Sequence, residues 1–181
     1  MSNLPNQFSL VNIHASVTKS FLCSDIRQSI TANNYQIVEE NLEKPWGGYF
    51  RIDGNDADNF ITDFFPTLNP LDARLGNPDA ELSPKILIVA PNQRLSWQYH
   101  ARRAERWTFL SDGSYYKSLD DEQGSIHPAK AGQVVQFQKE ERHRLVASNQ
   151  WTLVAEIWQH TDKKQLSDED DITRIQDDYS R

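Results

Sequence analysis

Apolar and polar positions divide the chain into unlike parts. Val17, Phe21, Leu22, Ile26 and Ile30 recur with helical spacing and are followed by the polar run Thr31-Ala32-Asn33-Asn34. This predicts one amphipathic helix inside an N-terminal extension of residues 1–34. From Tyr35 the pattern changes to short segments rich in Val, Ile, Tyr and Trp, separated by Gly, Asp, Asn and Pro. Strands are predicted near 35–40, 47–52, 84–90, 93–99, 105–111, 114–119, 133–138, 143–148 and 151–159. So many short strands at close spacing indicate an all-β sandwich or barrel over residues 35–181. The stretch 53–83 breaks the rhythm. Its Phe60-Ile61-Thr62-Asp63-Phe64-Phe65 portion is too apolar for a free linker, which predicts an ordered insertion beside the cavity of the barrel. Near the end, Ser167 and the acids from Asp168 to Asp171 predict the capped first turn of a short C-terminal helix.

Composition narrows the function classes. With 181 residues and 38% hydrophobic content the chain can bury one sizeable core. A formal net charge of -7 argues against a nucleic-acid partner, which would require a basic face to neutralise phosphates. The single Cys23 cannot form an intrachain disulfide. No apolar run approaches the roughly 20 residues that span a bilayer, and Met1-Ser2-Asn3-Leu4-Pro5-Asn6-Gln7 lacks the basic and apolar regions of a signal peptide. A cytoplasmic protein without a membrane partner is the expectation.

The candidate chemistry lies in Gln98, His100 and Glu105, with His143 about forty residues later. Side chains at i and i+2 of a strand share a face, so Gln98 and His100 can enter one cavity, and a short turn returns Glu105 beside them. Imidazole, amide and carboxylate donors form a borderline set suited to a divalent metal. Zinc leads, with Mn, Fe, Ni or Co as alternatives, because thiolates are absent and nothing selects zinc outright. The flanking arginines Arg102 and Arg106 read as a solvated basic face. Trp46, Trp107, Trp151 and Trp158 read as core, and His14, His127 and His160 as surface or packing residues.

The run Arg94-Leu95-Ser96-Trp97-Gln98-Tyr99-His100-Ala101-Arg102-Arg103-Ala104-Glu105-Arg106-Trp107 resembles the first cupin motif in the form found in type II mannose-6-phosphate isomerases. Lys44-Pro45-Trp46-Gly47 resembles that family's Lys/Arg-Pro-Trp-Gly loop, and Gly132 to His143, continuing through Arg144-Leu145, resembles its second cupin motif. The terminal Glu169-Asp170-Asp171-Ile172-Thr173-Arg174-Ile175-Gln176-Asp177-Asp178-Tyr179-Ser180-Arg181 resembles the family's closing segment. The similarity covers roughly residues 43–52 and 85–181; the nucleotidyltransferase half carried by many members has no counterpart here.

The resemblance implies a cupin double-stranded β-helix, a jelly-roll barrel, with metal ligands Gln98, His100, Glu105 and His143. It implies a metal-dependent aldose-ketose isomerase acting on a sugar or sugar phosphate such as mannose 6-phosphate, and a homodimer. Arg103 would steady a phosphate or an enediolate oxygen. The base that moves a proton between C1 and C2 is left open among Glu141, Lys44 and the pair Asp170 and Asp171. The family's histidines after the ligand His are Ala101 and Arg102 here, the histidine after the ligand Glu is Arg106, and its Pro-x-Gly turn is Gln138-Lys139-Glu140. These exchanges keep open a second reading, a sugar or sugar-phosphate sensor that retains the metal pocket without catalysis. A metal-dependent dioxygenase is disfavoured, because Gln98 stands where oxygen-activating members usually have histidine.

Overall fold

The computed structural model describes residues 8–180. Met1 to Gln7, read above for a signal peptide, and Arg181 of the closing motif lie outside the described residues. A 3₁₀ turn at Phe8–Leu10 leads into α1 (Lys19–Ala32), where the Thr18 side chain accepts a hydrogen bond from the Phe21 amide as N-cap. Then come β1 (Ile37–Asn41), β2 (Gly47–Ile52), α2 (Ala57–Phe64), α3 (Pro70–Ala73) and β3 (Lys85–Val89). The rest is β4 (Trp97–Tyr99), β5 (Arg103–Phe109), β6 (Gly113–Ser118), β7 (His127–Ala129), β8 (Val134–Phe137), β9 (Arg142–Ala147), β10 (Thr152–His160) and β11 (Thr173–Gln176). The strands form two antiparallel sheets, ordered β1-β2-β3-β10-β5-β8 and β11-β4-β9-β6-β7. This is a jelly-roll, the form the resemblance implies within the sandwich-or-barrel class indicated by the strand spacing.

The central strands β3, β10 and β5 of the six-stranded sheet are buried on both faces, and the period of two sorts their residues. On β3 and β10, Ile86, Ile88, Leu153, Ala155 and Ile157 join a core shared with Leu22, Ile26 and Ile30 of α1 and Phe60 and Phe64 of α2. The alternate residues Leu87, Val89 and Val154 turn into the roll, where they share a second core with Trp107, Phe109, Phe137 and Leu145. Two-sided burial explains why Lys85-Ile86-Leu87-Ile88-Val89 reads as a continuous apolar run rather than an alternating one.

Three expectations require correction. Residues 53–83 are ordered and carry α2 and α3, but their aromatics pack on the outer face of the large sheet, away from the cavity. The Thr108 hydroxyl, on the outer face of β5, donates to the Phe64 carbonyl at 2.6 Å and ties α2 there. The second correction concerns Ser167 to Asp171, which close turns through the Asp171 amide to the Asp168 carbonyl and the Ile172 amide to the Asp170 carbonyl. No C-terminal helix follows. Thr173–Gln176 extends as β11, antiparallel to β4, because the exposed amides and carbonyls of β4 need a partner and the acids are claimed by other groups. The third is the stretch 93–99, which contracts to β4; Arg94 makes only an isolated bridge to Val146. Strand β7 was not anticipated. Among the described residues no helix is long and apolar enough to cross a membrane.

Gly47 fixes the approach of β2 to β3. Its φ is +145°, and an added Cβ would lie 1.9 Å from the Ile88 carbonyl oxygen, so only glycine fits. The constraint seats Trp46 at the rim of the roll.

Phe60 is fully buried against Tyr35, Phe64 and Phe65. Phe60→Ala is expected to cost about 3–5 kcal/mol in denaturant unfolding. Phe21→Ala, on the exposed side of α1, is expected to stay within about 0.5 kcal/mol of the wild type.

Candidate metal centre

Three strands bring the polar residues of the roll together. On β4, Gln98 faces inward while Trp97 donates its indole N–H outward to the Asp121 carbonyl at 2.8 Å. His100 follows two residues later on the same face. On β5, Arg103, Glu105 and Trp107 occupy one inward row. On β9, His143 lies directly opposite Gln98 in the antiparallel register.

The side chains of His100, Glu105 and His143 converge: one ligand atom from each lies within 4.8 Å of the others, and all three residues are buried. His100 Nε2 stands 3.0 Å from Glu105 Oε1, and His143 Nε2 stands 3.3 Å from Glu105 Oε2. Both imidazoles are oriented from behind. His100 Nδ1–H donates to the Asp171 carbonyl, and His143 Nδ1–H donates to the Glu141 carbonyl at 2.9 Å. A carbonyl oxygen only accepts, so each ring carries a proton on Nδ1 and turns its Nε2 toward Glu105. Burial lowers the His100 pKa, against the opposing effect of Glu105. Burial also pushes the Glu105 carboxyl up, but His100, Arg103 and His143 outweigh it and hold the group ionised, well below the usual carboxylate range.

The result is three atoms of metal-ligating type facing one another. His100 Nε2, Glu105 Oε2 and His143 Nε2 are all buried without a hydrogen-bond partner. Unsatisfied buried groups of this kind are costly, and a divalent cation would satisfy all three at once. The donor set fits a metal, and the carbonyls behind the two rings are the supports that metal-binding histidines ordinarily have.

Gln98 is buried beside the cluster, its Oε1 accepting from the Ser96 hydroxyl at 2.5 Å. Its amide is the fourth donor within the same cavity. Arg103 is held by several partners. It donates to Glu105 Oε1 at 2.9 Å, to Ser167 Oγ at 3.2 Å and to the Asp168 carbonyl at 2.8 Å, and its guanidinium lies 4.1 Å from the Trp158 ring centre. The cavity these residues line has a volume of about 410 Å³. Lys44, Trp46, Lys85, Glu156 and Arg174 complete much of its wall.

The acids proposed from sequence are placed differently. The Glu141 carboxylate does not line the cavity; it accepts from the Gln138 amide at 2.9 Å and pairs with Lys117 at 3.4 Å. It braces the turn in which Glu140 takes a φ of +62° in place of a glycine. Asp171 also stands outside the lining. Its carboxylate accepts from the Ala101 and Arg102 amides at 2.8 and 3.0 Å and from Ser167 Oγ at 2.7 Å. These two acids touch the site through their backbone carbonyls, whereas Lys44 does line the cavity. Arg102 turns away to Asp168 and Arg106 to Gln159, as expected of residues outside the chemistry.

Glu156 was missed. It is buried on the inward row of β10, its Oε2 accepts from Trp107 Nε1 at 2.9 Å, and it lines the cavity. Burial and the charge of Glu105 push its carboxyl up to about 7, against Lys85 and Arg103. The signal available in the sequence was a lone carboxylate in the apolar run Leu153-Val154-Ala155-Glu156-Ile157-Trp158, in step with Val154 and Trp158.

No protein-family model matches the chain, and no curated protein sequence matches it. Solved structures do. Oxalate decarboxylase superposes with a TM-score of 0.52 at 13% identity, over 78% of this chain and 31% of that one. A second oxalate decarboxylase structure, from Bacillus subtilis and described for its Mn(II) centres, gives 0.50 at 13% identity over 76% and 30%. The capsular polysaccharide assembling protein CapF from Staphylococcus aureus gives 0.50 at 10% identity over 86% and 36%. A Cupin 2 conserved barrel domain protein from Salinispora arenicola gives 0.44 at 18% identity over 68% and 82%. The chain thus spans about a third of the length of the decarboxylase and CapF chains.

Asp171 has a depressed pKa: burial raises it, and the hydrogen bonds from Ser167, Ala101 and Arg102 more than reverse the effect. A carboxyl whose folded pKa is lowered stabilises the fold fully above its unfolded value and loses that contribution as pH falls through the folded value. Asp171→Asn is expected to cost about 2 kcal/mol at pH 7. In urea unfolding from pH 7 to pH 2 its stability should converge on that of the wild type at the acid end. The likenesses in structure show the fold, a jelly-roll of two antiparallel sheets.

Proposed function

We propose that the protein is a metal-dependent isomerase that interconverts an aldose and a ketose, with a sugar phosphate such as mannose 6-phosphate as substrate. The observation that carries this reading is the trio of buried, partnerless atoms on His100, Glu105 and His143, of which the first two residues line a cavity that also holds ionisable groups. Gln98 would complete the ligand set. A divalent cation held there would act as a Lewis acid on a substrate carbonyl. The cavity falls inside the range of roughly 300–1,000 Å³ typical of small-molecule sites. Arg103, fixed by Glu105, Ser167 and Asp168, offers a stationary positive charge to a developing oxyanion without reorganising. The motif resemblance supplies the reaction class.

One observation favours the sensor reading instead: Glu141 and Asp171 spend their carboxylates on turns and backbone amides. Solvent deuterium separates the two. The protein is expected to bind about one divalent metal per chain by elemental mass spectrometry. His143→Ala is expected to lose more than the roughly 10- to 100-fold in affinity typical when only a supporting partner is removed. With a panel of aldose phosphates in D₂O, the metal-loaded protein should introduce deuterium at C2. A metal-loaded protein that binds a sugar phosphate yet exchanges no proton would be the sensor.

A further inference from the structure

We infer that Glu156 is the residue that carries the proton between C1 and C2. This rests on the isomerase reading above and names the base that the sequence left open.

The inference begins with the strand. β10 is buried on both faces, and Ala155 and Ile157 turn toward the helices, so Glu156 turns into the roll. It shares the cavity wall with Gln98, His100 and Glu105, on the β10–β5 ladder where its register partner is Trp107. A buried carboxyl is retained at a cost unless something uses it. The other carboxylates of the wall are occupied. Glu39 is bound by Tyr49 and Arg51, Glu105 by Arg103, and Glu169 by Lys85 and Ser83. Among the described residues Glu156 forms no ion pair: Lys85, its register partner on β3, pairs with Glu169, Arg103 pairs with Glu105, and the one hydrogen bond shown for its carboxyl is from Trp107. That bond fixes Oε2 and the plane of the group, which leaves Oε1 as the oxygen for substrate. A carboxyl outside any ion pair is a group that can take a proton and give it back.

The step balances within the substrate and one side chain. Glu156 removes the proton from C2 of the aldose. The C–H pair becomes the C1–C2 double bond, and the C1 carbonyl pair moves to O1, beside the guanidinium of Arg103. The hydroxyl proton on O2 passes to O1. Glu156 then returns its proton to C1 as the O2 carbonyl forms, giving the ketose with no net change in the enzyme.

The test compares wild type with Glu156→Gln, both loaded with the same metal. Metal content and calorimetric binding of mannitol 6-phosphate, an alcohol that cannot isomerise, should be unchanged in E156Q. Its kcat for deuterium exchange should fall about 10²- to 10⁴-fold, the usual weight of a general acid-base group, with KM little altered. Glu156→Asp should recover part of the rate. E156Q exchanging at the wild-type rate would overturn the assignment of Glu156 alone. Loss of metal or of mannitol 6-phosphate binding in parallel with exchange would make Glu156 a positioning residue and would also overturn it. Absence of both exchange and ketose formation in the metal-loaded wild type would instead defeat the isomerase reading, and this inference with it.

Discussion

Burial of the central strands β3, β10 and β5 on both faces is the constraint from which the rest follows. Once α1 and α2 cover one side and the second sheet covers the other, every inward side chain on β3, β5 and β10 is either apolar or must find a partner inside the roll. Most are apolar. The exceptions, Arg103, Glu105 and Glu156, are gathered at one end, where Lys85 also faces the cavity. A polar pocket in a doubly covered sheet is expensive, so the concentration of buried charge there marks the part of the molecule shaped by chemistry rather than by folding.

The arrangement around Glu105 shows how that cost is contained. One of its oxygens is satisfied by Arg103, whose remaining bonds run to Ser167 and the Asp168 carbonyl. That oxygen also faces His100 Nε2 and the other faces His143 Nε2, and both rings donate from Nδ1 to a backbone carbonyl behind them. Backbone carbonyls from two distant segments set both tautomers. Electrostatics thus tune the centre through groups that never enter the cavity.

Much of this was legible in the residues. The helical spacing around Leu22, Ile26 and Ile30 marked α1, and the runs of β-branched and aromatic residues marked most strands. Gln98, His100, Glu105 and His143 sat at the spacing that places them on both sheets of one roll, β4 beside β9 in one and β5 in the other. What escaped had physical reasons. β7 and β11 are three and four residues long and mostly exposed, so they carry no apolar alternation to detect. Ser167 and the following acids look like a helix start, but that signature ignores long-range partners: Asp168 goes to Arg102, Glu169 to Lys85, and Asp171 to the Ala101 and Arg102 amides. The supporting role of Glu141 and Asp171 is exerted by carbonyl oxygens, which every residue possesses, and no sequence pattern announces it. Glu156 escaped because a strand buried on both faces masks the alternation that would have exposed an inward acid.

The Asp171 carbonyl behind His100 has one further consequence. The two residues are 71 positions apart, and β11 must dock on β4 before the segment carrying that carbonyl is in place. Loop closure over such a distance is entropically late in assembly. The pocket therefore gains its full grip on a cation only after both sheets have closed, so ion capture would reward the finished roll instead of seeding it.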